Sequence, residues 1–123
     1  VSDWSSDVCS SDLQHPRLFY NVSPKLPSVT PRSAETWRHA ATFAADPNTH
    51  LKVVIGDDPD EADALRLITE HALPRERVLV MPEGLTDAAL RARAQRLAEV
   101  CTRERLRFSP RLHVWIWGAR RGV

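Results

Sequence analysis

LKVVIGDDPDEADALRLITEHALPRERVLVMPEG, residues 51–84, is the stretch on which the fold turns. LKVVIG (Leu51 to Gly56) is nearly continuous in apolar residues, as expected for a strand buried on both faces. Asp58-Pro59-Asp60-Glu61 follows as a compact helix-start signal: Asp58 can cap, Pro59 takes the first helical position, and Glu61 can reach back as in a capping box. Leu65, Ile68 and Ala72 recur at spacings of three and four and mark an inward face, and Pro74 stops the helix. RVLVM (Arg77 to Met81) is a second buried strand. Strand, helix and strand in this order form a βαβ unit with parallel strands and a right-handed crossover.

The same alternation extends in both directions. Upstream, RLFYNV (Arg17 to Val22) is rich in aromatic and β-branched residues and reads as a strand. SPKLPSVTP follows, and Pro24, Pro27 and Pro31 forbid regular structure there. Ser33 then caps a helix whose Trp37, Ala40, Ala41 and Ala44 share one face. Downstream, Thr86 and Asp87 open a long helix to about Arg105 with Leu90, Ala94, Leu97 and Cys101 as its inner stripe. LHVWIW (Leu112 to Trp117) reads as a fourth strand. The expectation is an α/β fold of about four parallel strands with three helices, either half of a (β/α) barrel or a small doubly wound sheet. In both, functional groups gather beyond the carboxyl ends of the strands. SPK, Gly56-Asp57-Asp58, PEG and GARRGV all fall at that edge, which points to a ligand-binding rim.

Residues 1–13, VSDWSSDVCSSDL, stand apart: Ser-Ser-Asp occurs twice, no periodicity is visible, and the string looks like one reading frame of a sequencing-library adapter. It is read as a non-native, disordered tail and left out of the fold. Setting aside Asp3, Asp7 and Asp12 lowers the acidic count from 16 to 13 against 17 basic residues, a balance of +4 instead of +1. Residues 14–123 are expected to form one unit, with an upstream half preceding Gln14. No run approaches the ~18 apolar residues of a membrane span, and no secretory signal opens the chain. A soluble cytoplasmic protein is the expectation. Two cysteines, Cys9 and Cys101, give neither a disulfide scaffold nor a zinc site.

Three segments carry a resemblance to a known family. SPKLP (Ser23 to Pro27), VLVMPEG (Val78 to Gly84) and RLHVWIWGARRGV (Arg111 to Val123) resemble, in order and approximate spacing, the corresponding parts of radical-SAM 7-carboxy-7-deazaguanine synthases. The similarity spans residues 17–123 and implies the C-terminal part of a radical-SAM barrel. It also implies a reaction: 6-carboxy-5,6,7,8-tetrahydropterin becomes 7-carboxy-7-deazaguanine, on the route to queuosine and related deazapurines. A [4Fe-4S] cluster cleaves S-adenosylmethionine to a 5′-deoxyadenosyl radical, and Mg²⁺ assists the ring contraction. The resemblance places Ser23, Pro24 and Lys25 on S-adenosylmethionine, with Met81, Pro82, Glu83 and Gly84 near its adenine and ribose. It places Val123 toward the substrate and implies a homodimer. Two departures stand out. Ala119 occupies a position where asparagine is expected, and the cysteine triad that holds the cluster is absent, since ligation needs thiolates. The chain alone is therefore expected to bind no cluster and to be inactive.

Other features have plainer readings. His113 within the LHVWIW run reads as a hydrogen-bonded core residue; His15, His39, His50 and His71 read as surface residues. Asp57, Asp58, Asp60 and Asp63 superficially suggest a metal loop, but the EF-hand pattern is missing and helix capping accounts for Asp58 and Glu61. Arg91, Arg93, Arg96, Arg103, Arg105 and Arg107 invite a nucleic-acid reading, against which stands a solvated face interleaved with Glu99 and Glu104. Arg120 and Arg121 lie at the ligand rim, and Trp115 and Trp117 read as core or dimer-interface residues. The alternative to an enzyme part is a small α/β module that binds RNA or a ligand without catalysis.

Overall fold

Burial along the second strand sets the architecture. In the computed structural model, which describes residues 18–118, strand β2 (Thr49–Ile55) alternates strictly. Thr49, Leu51, Val53 and Ile55 are buried, whereas His50, Lys52 and Val54 are half-buried or exposed. Strand β3 (Val78–Pro82) alternates in the same phase, and its register sets Leu51 beside Val78, Val53 beside Val80 and Val54 beside Met81. One face of the sheet is thus sealed and the other open. This corrects the expectation of burial on both faces: Lys52 interrupts the apolar run on the side that carries no helix.

β1 (Tyr20–Val22) and β4 (Arg107–Phe108) flank this pair, and all four strands are parallel in the order β1-β2-β3-β4. The order advances one strand at a time without reversal, which is the progression of a barrel wall; a doubly wound sheet reverses at a switch point. Helices α1 (Ser33–Phe43), α2 (Asp58–Glu70) and α3 (Asp87–Glu104) make the crossovers. Their inward residues, including Trp37, Ala64, Leu67, Ile68, Leu97 and Cys101, form one core with the sealed face. Arg77 closes the amino-terminal edge by donating to the carbonyls of Ala44, Asp46 and Thr49. Among the described residues no helix is long and apolar enough to cross a membrane. The adapter-like tail, and the Gln14 boundary with it, lie outside the described residues.

Three element boundaries differ from expectation. Of the segment Arg17 to Val22, the described strand is Tyr20–Val22. α2 ends at Glu70, so Ala72 lies beyond it at φ 50°, exposed, and the inward stripe runs Ala64, Leu67 and Ile68 with Leu65 half-buried. Most consequentially, LHVWIW is a helix, α4 (Leu112–Trp117), and the fourth strand is Arg107–Phe108. α3 ends at Arg105 in the left-handed conformation, Leu106 turns into the core, and the chain enters the slot beside β3 at once. Aromatic and β-branched composition favours sheet only where a sheet position is open, and that position is already filled.

Candidate functional site

The loop after β1 is held from below. Pro24 is buried and Leu26 fully so. A turn closes where Val29 N donates to Leu26 O at 2.9 Å. The peptide of Lys25 is clamped by the first turn of α1. Its carbonyl accepts from Ser33 Oγ at 2.7 Å and Trp37 Nε1 at 2.9 Å, and its N–H donates to Thr36 Oγ1 at 2.9 Å. Ser33 therefore spends its hydroxyl on the loop; Arg32, not Ser33, is the N-cap of α1, and it makes no side-chain cap bond. A fixed backbone leaves the Lys25 side chain exposed, with Nζ only 3.5 Å from Ser23 Oγ. His71, read as a surface residue, is half-buried and stacks on Trp37.

At the carboxyl end of β2 the acidic run is used up by its own scaffold. Asp57, not Asp58, caps α2, accepting from Asp60 N at 2.9 Å, with Pro59 in the first turn. Asp58 instead pairs with Arg93 at 2.8 Å, and that guanidinium holds its carboxyl below the ordinary range. Glu61 does not reach back into a capping box. It is buried and receives a two-pronged bond from Arg96, Nε at 3.0 Å and Nη2 at 2.8 Å, which raises the arginine's affinity for its proton. Asp63 pairs with Arg66. Asp60 is also buried and joins two loops: it accepts from Ser28 Oγ at 2.6 Å and from Gly56 N at 3.1 Å. Among the described residues no group of three or more His, Cys, Asp or Glu is arranged to hold a metal ion.

The end of β3 completes the rim. Glu83 N donates to Ile55 O at 2.9 Å, which extends the sheet by one rung past Pro82. Met81 lies on the open face beside Val54, while Pro82 is buried on the helix side. Gly84 packs on α3: a Cβ there would meet Leu90 Cδ2 at 3.0 Å and Leu90 N at 3.3 Å. Its carbonyl accepts from Arg111 Nη1 at 3.2 Å. Ser23–Lys25 and Met81–Gly84 thus stand at the same carboxyl edge, one strand apart, with Gly56 of the loop after β2 and Asp60 of α2 between them.

The polar segment that follows the fourth strand is Ser109-Pro110-Arg111, because β4 ends at Phe108 and Ser109 N donates to Val80 O at 2.8 Å; of GARRGV, residues 119–123 lie outside the described residues. Arg111 and Asp60 are rim residues that sequence reasoning passed over. A two-residue strand shows no alternation, and Asp60 reads as one aspartate among four. His113 is exposed on α4 and not a core residue; Trp115 and Trp117 are likewise exposed, not core. Ala119, Arg120, Arg121 and Val123 lie outside the described residues.

Comparison with known proteins now bears on this rim. The chain is 38% identical to the 7-carboxy-7-deazaguanine synthase of Halobacterium salinarum (strain ATCC 29341 / DSM 671 / R1), over 79% of its own length and 47% of the relative. It is 29% identical to the enzyme of that name from Pyrobaculum aerophilum, over 85% of its own length and 45% of the relative. The chain is thus similar to part of two 7-carboxy-7-deazaguanine synthases. It spans just under half the length of these two relatives. No protein-family profile matches it. The SPK and MPEG segments follow β1 and β3, the two strands that flank β2 in the parallel sheet.

A [4Fe-4S] cluster does not fit the thiol on this wall. Cys101 is free and buried in the core stripe of α3, and burial pushes its pKa up to about 11. Cluster ligation needs accessible thiolates. On the open face Val54 and Met81 lie side by side, and Glu83 follows at the end of β3.

Proposed function

We propose that this carboxyl edge is one wall of the S-adenosylmethionine site of a 7-carboxy-7-deazaguanine synthase. In this reading the whole enzyme is a radical-SAM lyase acting on 6-carboxy-5,6,7,8-tetrahydropterin in queuosine biosynthesis, with the cluster and Mg²⁺ held by residues beyond this wall. S-adenosylmethionine supplies radical hydrogen abstraction when bound; the residues here bind and orient it. The observation that carries the reading is the convergence of Ser23–Lys25 and Met81–Gly84 at one edge of a parallel sheet that advances like a barrel wall. Lys25, its peptide clamped by Ser33 and Trp37, presents an ammonium to the carboxylate of the methionine moiety. Met81 packs on the adenine, since a thioether adapts to an aromatic face, and Glu83 accepts from the ribose hydroxyls. The homodimer is a proposal of the same kind, for which exposed Leu112, Trp115, Ile116 and Trp117 of α4 offer an apolar surface.

Equilibrium dialysis with labelled S-adenosylmethionine tests the site. Lys25→Ala and Glu83→Ala each weaken binding about tenfold, as expected for one charge-assisted hydrogen bond, with unchanged melting temperature. Unaltered binding in both variants removes the proposal. Anaerobic reconstitution should leave the chain without a cluster; about four bound irons per chain would contradict the reading of Cys101. The RNA-binding alternative loses part of its basic face, because Arg91, Arg93 and Arg96 are paired with Asp87, Asp58 and Glu61.

A further inference from the structure

Gly56 is a glycine for a reason its backbone does not supply. Of the described glycines, only Gly118 has a positive φ, so Gly56 sits in a conformation open to any residue. What a side chain would meet is Glu83. A Cβ at position 56 would overlap the Glu83 carboxylate oxygen Oε2 and lie 3.5 Å from its Cδ. It would also lie 3.1 Å from Asp60 Oδ2. The Glu83 carboxylate therefore rests in the space that the missing Cβ leaves, and its backbone is fixed there by the 2.9 Å bond to Ile55 O. Asp60 is kept in place by Ser28 Oγ and by the N–H of Gly56 itself. Among the described residues Glu83 accepts no hydrogen bond, so its oxygens are placed without being spent.

We infer that Gly56 is a positioning residue that seats the Glu83 carboxylate at the rim and thereby sets recognition of a vicinal diol on the ligand. The inference rests on the reading of Glu83 as the ribose acceptor and adds the residue that determines where that acceptor stands. An added methyl meets the far end of a flexible side chain, not packed backbone. It should push Glu83 aside, toward solvent, and leave the sheet intact.

The test titrates the full chain and its Gly56→Ala and Glu83→Ala variants with adenosine and with 2′,3′-dideoxyadenosine, and records thermal melting of each. The unsubstituted chain is expected to prefer adenosine about tenfold, the equivalent of one charge-assisted hydrogen bond. Gly56→Ala should abolish that preference while keeping its affinity for the dideoxy compound and its melting temperature. A purely structural glycine would instead lower affinity for both compounds together. If Glu83→Ala loses the preference and Gly56→Ala keeps it, the inference is overturned and the reading of Glu83 stands. If Glu83→Ala keeps the preference, or the unsubstituted chain shows none, the reading of Glu83 fails and the inference falls with it. Loss of cooperative melting in Gly56→Ala also overturns it, because the methyl would then be striking the scaffold.

Discussion

Replacing Trp37 by phenylalanine removes one of two short bonds that hold the Lys25 carbonyl, and leaves the other, from Ser33 Oγ at 2.7 Å, in place. The carbonyl is not orphaned, so the lost bond costs about 1 kcal/mol. Trp37 is completely buried, and the smaller ring leaves a void worth roughly another 1 kcal/mol. Ser33→Ala alone costs about 1 kcal/mol by the same reasoning. Together the two substitutions leave the carbonyl with only Thr36 Oγ1, at a long 3.4 Å. A part-buried acceptor stripped of both strong donors costs more than two separate bonds, so the double variant should exceed the sum by about 1 kcal/mol. Urea denaturation followed by far-ultraviolet circular dichroism measures all four proteins. Additivity within about 0.3 kcal/mol would refute the argument that these two donors share one carbonyl. The same series should weaken S-adenosylmethionine binding in the same order, because the clamp sets the Lys25 backbone.

Arg96→Ala strands the buried Glu61 carboxylate and should lower the urea midpoint clearly more than Arg93→Ala, whose partner Asp58 is exposed; equal effects would contradict the contrast. Arg105→Gly relieves a left-handed helix end at φ 60° and should stabilise the chain by roughly 0.5 kcal/mol after the glycine's entropy is deducted, readable as a raised melting temperature. Cys101 should resist alkylation at neutral pH. Its folded pKa of about 11 lies above the unfolded value, so between about pH 9 and 11 the unfolded chain has released a proton that the folded one retains. Stability then falls as pH rises through that window, and Cys101→Ser should flatten the fall.

The middle of the fold was open to reading because its signals are local. β2, α2 and β3 each announce themselves within one segment, and Thr86 caps α3 where its sequence says, accepting from Ala89 N at 3.1 Å. The misreadings came from partners far away along the chain. Glu61 looks like a capping-box residue until Arg96, 35 positions on, is brought beside it. Leu112 to Trp117 looks like a strand until Arg107–Phe108 is seen to occupy the place next to β3. The rim segments Ser23–Lys25 and Met81–Gly84 were identifiable from strand ends and resemblance, but Gly56 and Asp60 acquire meaning only when the loops of β1, β2 and β3 stand together. One-residue displacement of the α2 cap, from Asp58 to Asp57, follows from four aspartates within seven residues, any of which can cap on sequence grounds.

Amide chemical-shift mapping of the chain titrated with S-adenosylmethionine bears most directly on the cradle. The account predicts that the perturbed resonances gather at Ser23, Lys25, Gly56, Met81, Glu83 and Gly84, the residues that the carboxyl edge of β1, β2 and β3 brings together. Perturbations confined to α2 and α3, or to the amino-terminal edge around Arg77, would contradict it.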